Sequence, residues 1–86
     1  MGEGFYLVNS DKVQKLEDVF RVVFELPAAA DVRRLLQNDD EKWDSLAHVK
    51  LVAALESEFN LNLDTADALR IKSFETAREL LEERGW

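Results

Sequence analysis

The chain has 86 residues, a formal net charge of −7, 47% hydrophobic and 34% charged side chains, and no cysteine. That length makes one small domain, and the acidic balance excludes a binder of phosphate backbones, which needs Lys and Arg to displace counterions. Without cysteine there is neither a disulfide framework nor a cysteine-based zinc site, so thiol chemistry has to come from an added group. The acidity favours partners with basic docking surfaces.

The opening Met1-Gly2-Glu3-Gly4-Phe5-Tyr6 lacks the basic region and apolar core of a signal peptide, and Tyr6 stands where a myristoylation signal needs Ser or Thr. No segment is long and apolar enough to span a bilayer. The expectation is a cytoplasmic protein and a single domain over 1–86, with an N-terminal lead at 1–9 and a core from about 10 to 85. In the lead, Phe5, Tyr6, Leu7 and Val8 read as an extended piece. Asn9 or Ser10 can cap a first helix. Val13, Leu16, Val19, Phe20 and Val23 recur at helical spacing through about Glu25, and Pro27 ends the run.

A long connection follows from Ala28 to Trp43, with a helical turn expected around Val32 to Leu36 and an anchor at Leu35 or Leu36. Asn38-Asp39-Asp40-Glu41 reads as exposed. A second helix should start at Asp44 and run to Phe59 or Asn60. A short third helix should span Asp64 to Leu69 or Arg70, with Asp67 in its first turn at the positive end of the dipole. Ser73 then caps a fourth helix through Glu83. The pattern predicts an all-α fold, a small four-helix bundle with a long loop between helices 1 and 2.

A wheel at about 100° per residue sorts the second helix. Val49, Val52, Leu55 and Phe59 fall toward the core, and Ala47, Lys50, Ala54 and Glu58 fall opposite. Leu46 points outward near Lys50 and Ala53. With Phe20, Val23, Phe24, Leu61, Leu63, Ile71 and Phe74, the core-facing residues supply an interior that the phenylalanines could fill. Asp44 is a good cap, and Ser45 takes the first helical position near the surface. An anion attached there gains roughly 0.3–1 kcal/mol from the helix dipole. Ser10 and Ser73 read as plain caps, and Ser57 sits mid-helix among glutamates. His48, the single histidine, pairs with Trp43 across the cap as a hydrophobic staple. The other place for His48 is the mouth of an internal cavity or a contact with a tethered group. Ser45 and His48 lie roughly 60° apart on the wheel, with no second histidine to share a metal and no evident oxyanion donor, so neither catalysis nor metal binding is expected.

The triplet Asp44-Ser45-Leu46 leading into Ala47-His48-Val49-Lys50-Leu51-Val52-Ala53-Ala54-Leu55-Glu56-Ser57-Glu58-Phe59 resembles the modification site of acyl carrier proteins. The resemblance covers about Ser10 to Gly85 in pattern, and Trp43 to Phe59 in specific residues. It implies 4'-phosphopantetheine attached to Ser45, with the cargo held as a thioester. It implies that Asp44 helps hold the metal of the phosphopantetheinyl transferase that installs the arm, and that Leu46 touches partners. Ala47, Lys50, Ala53, Glu56, Glu58, Asp64 and Asp67 join Leu46 as candidate partner contacts.

The other implied partners are an acyl- or aminoacyl-loading ligase and acyltransferase or synthase enzymes, served by a monomeric, non-catalytic carrier. The sequence departs from common fatty-acid carriers at Lys42, where they have glycine, and at Ala47 and Lys50, where they have acids. The expectation is therefore a carrier for specialised lipid, polyketide or polysaccharide-modifying chemistry. The alternatives are an aminoacyl or peptidyl carrier and an unmodified carrier-like interaction module.

Overall fold

The computed structural model describes residues 2–37 and 41–86, with side chains over 11–37 and 41–86. Its elements in chain order are α1 (Gly2–Val23), a 3-10 turn (Val32–Arg34), α2 (Ser45–Phe59), α3 (Thr65–Arg70) and α4 (Phe74–Glu83). This is the expected all-α arrangement, with a long α1–α2 connection and a short α3.

The lead is a correction. It is helical and continuous with α1, so Ser10 lies inside a helix and not at its start. Asn9 and Ser10 are only mildly unfavourable in a helix interior, and nothing between Gly4 and Ser10 breaks one. At its other end α1 stops at Val23, before Pro27 acts. The Leu26 N–H bonds to the Arg21 carbonyl at 2.8 Å and the Glu25 N–H to the Val22 carbonyl at 3.3 Å. With Glu25 in the left-handed region at φ 54°, these bonds form a Schellman closure.

Asn60, also left-handed at φ 53°, ends α2, and Gly85 at φ 77° ends α4. Asparagine and glycine suit that conformation, since one has a short polar side chain able to bond the local backbone and the other lacks Cβ. The helix starts follow the expected caps. Asp44, Asp64 and Ser73 each accept the N–H of the third helical residue, and the last two form reciprocal capping boxes with Asp67 and Thr76.

The core is an aromatic cluster enclosed by leucines. Phe20 meets Trp43 at 5.7 Å and Phe74 at 5.5 Å between ring centroids, both edge-on, and Phe24 meets Trp43 at 5.1 Å. Leu16, Leu51, Leu55, Ile71, Leu80 and Leu81 close around it, all fully buried. Edge-to-face rings are the favoured arrangement and add to the burial of apolar area. The connection is pinned to this core by Val32 and Leu35, while Leu36 stays exposed. Its Gln37 N–H bonds to the Lys72 carbonyl at 3.0 Å, beside an isolated bridge between Leu36 and Ser73. The expected polar stretch falls outside the described residues at 38–40, and Glu41 is exposed.

Candidate functional site

Asp44 sits in extended conformation before α2, and its carboxylate accepts the Ala47 N–H at 2.8 Å. Its carbonyl takes the His48 N–H at 2.9 Å. Ser45 is the first helical residue and is exposed. The N–H groups of a first turn have no intrahelical acceptor, and they point along the positive end of the dipole. The first turn of α2 contains no acid, so a negatively charged group on Ser45 meets the helix end without a like charge inside that turn. The exposed Ser45 hydroxyl has room for a substituent and the dipole favours an anion there, while the neighbouring Asp44 carboxylate already takes the Ala47 N–H.

Trp43 is buried one residue ahead of the cap. Its indole Nε1 donates to His48 Nδ1 at 3.0 Å, and the two rings stack with centroids 6.1 Å apart. Indole is a donor only, so Nδ1 is the acceptor and the imidazole hydrogen sits on Nε2. That nitrogen lies 2.9 Å from the Ala68 carbonyl of α3 and donates to it. The expected staple contact between Trp43 and His48 is present, with a hydrogen bond added. Both ring nitrogens are committed, which leaves none to take a proton from Ser45. Among the described residues no cluster of three or more His, Cys, Asp or Glu side chains could hold a metal, and no helix is long and apolar enough to cross a membrane.

Two grooves flank this helix start. One, of about 440 Å³, is lined by Val23, Phe24 and Glu25 from the end of α1, and by Lys42, Asp44, Leu46, Ala47 and Lys50. The other, of about 260 Å³, lies between α2 and α3 against His48, Val49, Val52, Ala53, Glu56 and Ala68. His48 thus joins the staple and also borders a groove.

The candidate contact residues divide. Leu46 is 63% exposed, and Lys50, Ala53, Glu58 and Asp64 are exposed as well. Three of the candidate contacts are less exposed. Ala47 is half-buried against the core. Glu56 is half-buried, with its Oε2 accepting the Leu63 N–H at 2.9 Å across the α2–α3 turn. Asp67 is 6% exposed, locked between the Asp64 N–H and the Arg84 guanidinium. A carboxylate held in this way braces the start of α3 against α4.

The wheel is corrected too. Val49 is 65% exposed and Leu51 is fully buried, while Ala54 packs partly against the core. The sequence reading therefore missed Val49 as a surface residue. The signal was its spacing: Val49 is three residues from Leu46 and four from Ser45, so all three share one face.

No family model matches the chain, and no solved structure matches it. The chain is similar to acyl carrier protein 4, a chloroplastic protein of Arabidopsis thaliana, with 33% identity over 77 residues. The match takes in 87% of this chain and 55% of that protein, so the chain spans about half the length of its relative.

Proposed function

We propose that the chain is an acyl carrier protein that holds 4'-phosphopantetheine on Ser45. The observation that carries this reading is an exposed serine at the first position of a helix capped by Asp44, in a chain similar to a carrier over most of its length. The terminal thiol of the bound group supplies the thioester chemistry. The chain's own residues present and orient it. Asp44 fixes the helix start and lies beside the serine, where it can help hold the transferase's metal. Ser45 supplies the attachment oxygen, and the free N–H groups of the first turn face the phosphate. Trp43 and His48 anchor the base of the site to the core and to α3.

In this reading the protein is a monomeric cytoplasmic shuttle without catalytic activity of its own. A phosphopantetheinyl transferase modifies it, a ligase loads it, and acyltransferase or synthase enzymes unload it. Ala47 and Lys50 support a pathway other than housekeeping fatty-acid synthesis. They stand where the common carriers have acids, and a lysine opposite a basic docking patch is repelled.

The test is intact mass after incubation with coenzyme A, magnesium and a broad-specificity phosphopantetheinyl transferase. The expected result is a gain of one phosphopantetheine, abolished in Ser45→Ala. A folded parent that gains nothing from several transferases would instead favour an unmodified interaction module.

A further inference from the structure

We propose that the first half of α2 docks partners presenting a carboxylate beside an apolar socket, a charge opposite to the one an acidic protein of net charge −7 would recruit. The inference rests on Ser45 being the modified residue, because the face concerned is the one that surrounds it.

From Ser45 to Leu55, α2 contains no Asp or Glu, and its one fixed charge is Lys50. Lys50 is exposed and forms no ion pair among the described residues. Three arginines toward the C-terminal end are answered within the fold: Arg70 by Glu83, Arg78 by Glu75 and Glu82, and Arg84 by Asp67. Beside Lys50, Leu46 and Val49 stand mostly exposed on the same helix face. Lys42 shares the groove that Lys50 lines. Two acids, Glu25 and Asp44, line the same groove: Asp44 accepts the Ala47 N–H, and Glu25 closes α1 through its backbone N–H.

A partner that covers Leu46 and Val49 must also strip water from the Lys50 ammonium. Burying an unpaired charge is costly, and juxtaposing it with a second cation costs more. A carboxylate at that point removes both costs. The apolar pair supplies contact area, and the lysine supplies discrimination.

The test is a charge-swap cycle read by the initial rate of Ser45 modification. The probe is one phosphopantetheinyl transferase in two forms, with its carrier-facing cations intact or replaced by glutamate. Each form is assayed on the parent chain and on Lys50→Glu. The ratio of ratios cancels each form's intrinsic activity. The parent should favour the glutamate form and Lys50→Glu the cationic form, with a coupling of about tenfold or more that shrinks as salt rises. Leu46→Ala should slow both forms alike.

Modification at Ser45 with a ratio of ratios near one overturns the docking proposal and leaves the carrier reading standing. Ser45 left unmodified in every combination, with folding confirmed by circular dichroism, overturns both.

Discussion

His48 fastens two elements through one ring. Its Nδ1 receives the indole hydrogen of Trp43, and its Nε2 donates to the Ala68 carbonyl. The two bonds tie the end of the long connection to α3 through α2. Trp43→Phe keeps an aromatic ring against Phe20 and Phe24 and deletes the donor, so Nδ1 loses its partner. The expected loss is about 1–2 kcal/mol of unfolding free energy, measured by urea denaturation. The imidazole Nδ1 resonance should shift in the same variant. Ser45→Ala is different in kind. The side chain is exposed and Asp44 performs the capping, so the change removes the attachment oxygen and leaves stability within about 0.5 kcal/mol.

Along α2, burial follows Leu51 and Leu55, which sit four apart. Leu51→Ala should cost about 2–5 kcal/mol, because the cavity it leaves is walled by the core. Val49→Ala, at an exposed position, should stay within about 0.5 kcal/mol. Thermal melts of the two variants side by side check the assignment of the face.

These residues also mark where the sequence stopped being legible. The helix starts could be read because capping is local chemistry: Asp44, Asp64 and Ser73 each meet an N–H three residues on. The direction of α2 could not, because Leu46, Val49, Leu51, Val52, Ala53, Ala54 and Leu55 run nearly round its circumference, and a wheel then has no single apolar pole. The burial of Asp67 was not legible for another reason. Its partner Arg84 lies 17 residues away and is brought to it by the packing of α4, which no local pattern reveals. The helical lead carried no start signal at all. At the site itself, Ser45 and Asp44 were legible as a capped helix start, whereas the bonds that commit His48 depend on α3 lying alongside.

Across the whole molecule the negative charge is unevenly deployed. Four acids lie on α4, three of them engaged by arginines, whereas α2 from Ser45 to Leu55 has no acid and one lysine. One of these pairs gives the fold a pH signature. Hydrogen bonds from Arg70 hold the Glu83 carboxyl below its ordinary value of 4.5. A carboxyl lowered by folding stabilises the native state above that value, and the contribution is lost as pH falls through the folded pKa. The parent should therefore lose melting temperature more steeply than Glu83→Gln as pH drops below about 4.5, and the two curves should run parallel at neutral pH. Both groups are exposed, so the difference will be small and will weaken with salt.

The indole of Trp43 lies buried two residues from Ser45, hydrogen-bonded to a ring that also grips α3. The protein thereby contains its own optical gauge. Short-wavelength emission from this dry indole would fade toward the red whenever α3 lifts away and water reaches the ring. In a Trp86→Phe background that colour reads how well the core around Trp43 stays closed, without a dye and at the edge of the attachment point.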